Sequence, residues 1–279
     1  MKPKPLYSLI AILLALIPIT YFGIKLTSPS NVTPQHQTII FIHGYGSSAA
    51  ATNALATQTK QDLGIKNRLK VKINGQGQND LQPSKLSSSG NIIQLEFTDK
   101  DTSEKNESKY IATVTKTLKA KGISAISLVG HSMGSNVALR YLETDDYLTR
   151  QYPTVNKLVT IAGPFNTGID QPDEIRKQFK NNSIDSETKL PKLQDGNFKF
   201  FYKNKDNLSP KLQILNIYGD VGDGTDGKIS NFSSESLNLL IKKEQPYIEM
   251  KVTGSHVQHS EIRTNPRVTK QVSKFLSNT

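Results

Sequence analysis

Ser132 is the residue of this chain best placed to do chemistry. It is the centre of Gly130-His131-Ser132-Met133-Gly134, a G-x-S-x-G pentapeptide. A serine hydroxyl is a poor nucleophile at neutral pH and needs a base to take its proton and an acid to orient that base. The chain has five histidines: His36, His43, His131, His256 and His259. His131 flanks the serine and is expected to face away from its oxygen. Only His256 and His259 follow the serine, both in Gly254-Ser255-His256-Val257-Gln258-His259-Ser260, and either could be the base. Carboxylates cluster before them at Asp220, Asp223 and Asp226. Together these groups could form an acyl-enzyme on Ser132 and release it to water or to an alcohol. The plainer readings are a serine that only caps a helix and aspartates that bind calcium, although their spacing lacks the EF-hand pattern and its terminal glutamate. The absence of cysteine excludes disulfides, a thiol nucleophile and thiolate metal sites. No metal and no cofactor are expected.

Those groups need elements that aim them. Upstream of the pentapeptide, Ala125-Ile126-Ser127-Leu128-Val129 suits a buried parallel strand. Downstream, residues 136–143 place apolar side chains on one helical face. A strand that turns sharply into a helix at Ser132 makes a nucleophile elbow. Its glycines stand where side chains would collide, and the helix N-terminus favours developing negative charge. Earlier, the apolar run Thr38–Ile42 leads into His43-Gly44-Tyr45-Gly46-Ser47-Ser48. A loop of that kind can supply a second backbone donor. The N–H groups of Tyr45 and Met133 are therefore the expected oxyanion hole.

The rest of the chain alternates. Helices are predicted over 49–63, 103–121, 233–242 and 266–276, and further strands over 69–73, 91–97, 158–162, 212–218 and 247–252. The alternation predicts an α/β fold, with a mostly parallel central sheet and helices on both faces. Residues 75–90 form a loop rich in Gly, Ser and Gln, expected to be mobile. Residues 169–211 break the rhythm as a polar insertion with an aromatic patch at Phe198, Phe200, Phe201 and Tyr202. That patch could line a cap for an acyl chain or pack onto the sheet domain.

Lys2 and Lys4 precede an apolar run from Leu6 to Ile24, long enough to cross a bilayer. Residues 1–26 are therefore expected to be a membrane anchor or a signal segment, with the remainder exported to the extracellular face, or secreted if the segment is cleaved. Residues 27–37 read as a linker and 38–279 as the main domain. The formal net charge is +11 over 279 residues. The lysines are scattered and nothing resembles a nucleic-acid module, so attraction to an anionic envelope polymer or lipid is the better use of that charge.

The sequence resembles the alpha/beta-hydrolase superfamily over residues 38–279, and most of all exported or cell-surface hydrolases of Gram-positive bacteria. The resemblance is carried by His43-Gly44-Tyr45-Gly46, Gly130-His131-Ser132-Met133-Gly134, Asp226-Gly227-Lys228-Ile229-Ser230 and His259-Ser260. It implies an alpha/beta-hydrolase fold, a Ser-Asp-His triad with His259 as the base, and ester- or amide-cleaving activity, with an ester in a small molecule or lipid as the expected substrate. The match to Asp-Gly-x-Ile-Ser points to Asp226 as the acid, with Asp223 and Asp220 as alternatives. A silent binding protein of the cell envelope and an acyltransferase remain the other readings.

Overall fold

Apolar, β-branched runs bounded by loops become strands, and the polar–apolar stretches between them become helices. A computed structural model describes residues 37–144 and 150–277. In chain order the elements are β1 (Thr38–Ile42), α1 (Asn53–Asp62), β2 (Asn67–Ile73), β3 (Asn91–Phe97), α2 (Glu104–Ala120), β4 (Ala125–His131) and α3 (Met133–Glu143). There follow β5 (Thr154–Ile161), the single turn α4 (Asp173–Arg176), α5 (Gly196–Asn204), β6 (Gln213–Asp220), α6 (Asn231–Glu235), β7 (Tyr247–Thr253) and α7 (Pro266–Ser277).

The seven strands form one sheet in the order β2-β3-β1-β4-β5-β6-β7, and every pairing is parallel. Parallel strands are covered on both faces, which is why β1 reads as an unbroken apolar run. Successive side chains feed opposite layers. Ile40 and Ile42 join a core with α2, α3 and α5, while Ile39 and Phe41 join a second core with α1 and α7. The edge strand β2 instead exposes Lys70 and Lys72, charges suited to an unpaired edge. β4 lies at the centre of the sheet beside β1. Chain order departs from both there, so the crevice at the strands' C-terminal ends opens beside Ser132.

Several boundaries differ from expectation. The helix expected from Ala49 opens as a 3₁₀ turn, Ala49–Thr52. The one expected over 233–242 is only α6 followed by a 3₁₀ turn, Ser236–Leu239. Serine side chains there compete for the backbone: Ser230 Oγ accepts from Ser233 N–H, and Ser236 Oγ donates to Phe232 O. The glycine-rich loop after β2 folds onto α2, with Tyr110 Oη donating to Gly75 O and Thr113 Oγ1 to Gly77 O.

The aromatic patch packs onto the sheet domain. Phe198 and Phe201, one helical turn apart on α5, are fully buried in the core, and Phe200 and Tyr202 pack against it. Asp195 caps α5 by accepting from Phe198 N–H at 2.8 Å, and its other oxygen accepts from Thr167 N–H at 2.7 Å and Gly168 N–H at 2.8 Å. Residues 168–195 therefore leave and re-enter the domain at one point. The expected anchor over 1–26 lies outside the described residues. Among the described residues no helix is long and apolar enough to cross a membrane.

Candidate active site

Ser132 sits at the turn from β4 into α3 with φ 54° and ψ −130°, a backbone conformation that costs a non-glycine residue of order 1–3 kcal/mol. Close packing holds it there. A β-carbon on Gly130 would lie 2.4 Å from Gly134 O, and one on Gly134 would lie 2.5 Å from Ile42 O. Ser132 N–H donates to Ile161 O at 2.8 Å, and Ser135 Oγ donates to Gly130 O at 3.0 Å, fixing the turn from below.

Ser132, His259 and Asp226 come together. Ser132 Oγ is 2.9 Å from His259 Nε2, and His259 Nδ1 is 2.7 Å from Asp226 Oδ2. An ionised carboxylate only accepts, so Nδ1 carries the ring proton and Nε2 is left to accept from the serine hydroxyl. Asp226 is 2% exposed, and its Oδ1 accepts from the N–H groups of Lys228 and Ile229 at 2.9 and 2.7 Å. The turn that follows the acid therefore orients it.

The alternative residues stand elsewhere. The His256 side chain is 66% exposed and 4.0 Å from Glu261. Asp220 pairs with Lys251 at 2.7 Å and accepts from Asn231 Nδ2 at 2.8 Å. Lys251 first, then the N–H groups of Gly222 and Gly224, hold its carboxyl down at about 2. Asp223 accepts from Thr225 Oγ1 at 2.6 Å and lies 3.6 Å from Lys180. Among the described residues no group of three His, Cys, Asp or Glu side chains could hold a metal ion.

Two further histidines frame the site. His131 is buried, and its Nε2–H donates to the backbone carbonyl of His259 at 2.8 Å. Burial first, then the neighbouring His259, holds its pKa down at about 3, so the ring is neutral. His43 donates from Nδ1 to Gly44 O at 2.8 Å and accepts from Phe97 N–H at Nε2, 3.2 Å away, while burial lowers its pKa. Ser47 N–H also donates to Gly44 O, at 3.2 Å. With the Gly44 carbonyl anchored in this way, the Tyr45 N–H of the same trans peptide points the opposite way. Gly44 packs against Ser132, since a β-carbon on it would lie 2.9 Å from Ser132 Cβ. Met133 opens α3, where first-turn N–H groups have no partner within the helix.

Ser132, His259, Tyr45 and Met133 open onto a cavity of about 1030 Å³. One wall is built on a buried ion pair. Arg140 Nε donates to Glu104 Oε1 at 2.7 Å, while Asn136 and Asn197 donate to Glu104 Oε2 at 3.1 and 2.9 Å. The Arg140 guanidinium also lies 3.9 Å from the centre of the Phe200 ring. This network ties α5 to α2 and α3. None of the four aromatics of residues 198–202 reaches the cavity. From the insertion, Ile169, Arg176, Lys177, Phe179, Lys180 and Asn197 line it instead.

Sequence reasoning missed His131, His43 and the Glu104–Arg140 pair as parts of the site. His131 sits beside Ser132 and His43 opens the loop that carries Gly44 and Tyr45, so both were within reach. Nothing in the sequence links Glu104 to Arg140.

The chain matches a family model described as an alpha/beta hydrolase of unknown function, DUF915, over residues 27–279. Among solved structures it is similar to the product of gene lin2722 from Listeria innocua, with 26% identity and a TM-score of 0.76 over 88% of this chain and 95% of that one. A protein described as a putative cell surface hydrolase, from Lactobacillus plantarum WCFS1, shares 17% identity, with a TM-score of 0.64 over 87% and 90% of the two chains. A monoacylglycerol lipase from Paleococcus ferrophilus shares 16%, with a TM-score of 0.50 over 88% and 93%. No match is found among curated proteins.

Proposed function

The chain belongs to the DUF915 family of alpha/beta hydrolases, and from its own geometry we propose that it is a serine hydrolase that cleaves an ester through an acyl-enzyme. One observation carries the proposal: the unbroken hydrogen-bonded line from Ser132 Oγ through His259 to Asp226, 2.9 and 2.7 Å long, at the floor of an open cavity.

Ser132 Oγ attacks the ester carbonyl carbon as its proton passes to His259 Nε2. Asp226 keeps Nδ1 protonated and stabilises the imidazolium that forms. The carbonyl oxygen, now negative, lies between the N–H groups of Tyr45 and Met133, each worth roughly 3 kcal/mol to the transition state. The alcohol leaves with the proton from Nε2. Water then attacks the acyl-serine, giving its proton to Nε2, and the acid departs as Ser132 regains its hydrogen. His43 acts through the loop by holding the peptide that presents the Tyr45 N–H.

The apolar run 6–24 is proposed to tether the hydrolase domain on the outer face of a membrane, within reach of small-molecule or lipid esters and of anionic envelope polymer. The cell-surface description of the Lactobacillus relative supports that placement. The test is a serine-reactive fluorophosphonate followed by a panel of esters. Labelling at Ser132 with ester turnover is expected, and an unlabelled, inert wild-type protein would sink the proposal.

A further inference from the structure

The charges around the cavity are divided by the sheet. Asp101 and Glu104 follow β3, on the β1 side of Ser132. Glu104 is neutralised by Arg140, and Asp101 accepts from Tyr45 Oη at 3.1 Å. Every cationic residue of the lining comes from the other half. Arg176, Lys177 and Lys180 follow β5, Lys228 follows β6, and Arg263 follows β7.

The first three have exposed carboxylate partners in Asp173, Glu174 and Asp223, contacts too weak in water to commit them. Lys228 and Arg263 differ. Among the described residues neither forms an ion pair or donates a side-chain hydrogen bond, although Arg263 is half-buried. Burial lowers the Arg263 pKa. A guanidinium partly withdrawn from water without a counter-charge is destabilised until an anion arrives. Both residues also adjoin the reacting groups in sequence: Lys228 lies two residues after Asp226, and Arg263 four after His259.

We propose that this half of the cavity is an anion subsite: the enzyme acts on esters carrying a phosphate or carboxylate group, held by Arg263 and Lys228 on the β5–β7 side of Ser132. The inference rests on the hydrolase reading above and narrows its substrate class. The subsite is separate from the overall positive charge of the chain, because it depends on two side chains that share the cavity with Ser132.

The test compares matched esters on the full-length protein. One pair, p-nitrophenyl hexanoate and the mono-p-nitrophenyl ester of adipate, places the charge in the acyl part. The other, 1-hexanoylglycerol and its 3-phosphate, places it in the alcohol. In at least one pair the charged ester is expected to be preferred in kcat/KM. Arg263→Gln and Lys228→Gln should each cut that preference by about tenfold or more, the scale of a lost hydrogen bond to a charged group. Lys116→Glu, on the exposed face of α2, should leave it unchanged. A second measurement needs no turnover: hexyl phosphate should bind Ser132→Ala protein by calorimetry more tightly than hexanol, with the difference lost when Arg263→Gln is added. If Ser132 labels and neutral esters turn over, yet no pair shows a preference that the Gln variants reduce, the subsite is wrong and the hydrolase stands. If Ser132 neither labels nor turns over, the hydrolase reading falls and calorimetry decides the subsite. Hexyl phosphate binding that ignores Arg263 would then overturn it.

Discussion

His259 is bound to Asp226 twice, through its ring and through its main chain. Nδ1 lies 2.7 Å from Asp226 Oδ2, and the His259 N–H donates to the Asp226 carbonyl at 2.8 Å. The two loops are joined whether or not the carboxylate is charged. Asp226→Asn should therefore fold normally and fail in chemistry, because an amide that donates to Nδ1 leaves the proton on Nε2. We expect kcat to fall by about 10⁴-fold, as for the same change in a well-studied triad. Asp223→Asn should stay near wild type. Asp220→Asn should lose thermal stability rather than rate, since it breaks the contact with Lys251. Steady-state kinetics beside thermal denaturation separate the three, and a worse kcat for Asp223→Asn would move the acid assignment.

Ser132→Ala should lose fluorophosphonate labelling and ester turnover, on the order of 10⁶ in kcat. His259→Ala should be close to it. His256→Ala should retain most turnover, because that side chain is largely exposed and apart from the serine. Labelling of the Ser132→Ala protein, located by mass spectrometry, would end the nucleophile assignment.

His131→Phe keeps the ring's bulk and removes its bond to the His259 carbonyl. A buried carbonyl left without its donor costs about 1–3 kcal/mol, and the base loses one support. We expect kcat to drop roughly tenfold, the cost of about 1.4 kcal/mol in the barrier. His131 is held down at about 3 by burial and by His259, so the shape of the pH–rate profile between about pH 5 and 9 should not change. A profile that does shift would mean His131 titrates during turnover.

Arg140→Met strands Glu104 in the wall with its charge unpaired. Breaking such a buried pair costs roughly 3–5 kcal/mol, readable from urea denaturation. Adding Glu104→Gln should recover a large part of the loss. If the double variant is no more stable than the single one, the ion pair is not what holds α5 to α2 and α3.

Glu143 is 1% exposed, and among the described residues neither carboxyl oxygen has a hydrogen-bond partner. Burial first pushes its pKa up to about 10, against Arg140, which lowers it, and with Glu104, which raises it. The folded protein therefore holds a proton that the unfolded chain releases above the ordinary value of 4.5. Stability from this group is full below pH 4.5 and is lost progressively as pH rises towards about 10. Glu143→Gln should raise stability by roughly 1–3 kcal/mol near pH 8 and flatten the decline of Tm between pH 5 and 9. An unchanged slope would refute the assignment.

Most strands and the elbow were legible because buried parallel strands and glycine-bearing turns leave local marks. Ile39 to Ile42 and Leu128 to Gly130 are of that kind. His259 and Asp226 were legible through their order in the chain and their neighbours. The role of residues 196–204 was not. An aromatic run at helical spacing fits a cavity wall and a core equally well, and what settles it is Arg140, 57 residues before its partner Asn197. The grouping of Lys228 and Arg263 was hidden for a similar reason. Only the strand order brings the loops after β6 and β7 to the same side of Ser132.

Asp195 has a consequence for how this scaffold can be altered. By joining residues 167 and 168 to the start of α5, it closes the base of the 168–195 excursion. The length of a loop closed at its base is weakly coupled to folding: each doubling adds only about 0.6 kcal/mol of entropic cost. Residues 169–194 can thus be exchanged for shorter or longer segments while Asp195 and α5 stay in place. Such grafts would change the rim of the cavity and leave Ser132, His259 and Asp226 on an unaltered sheet.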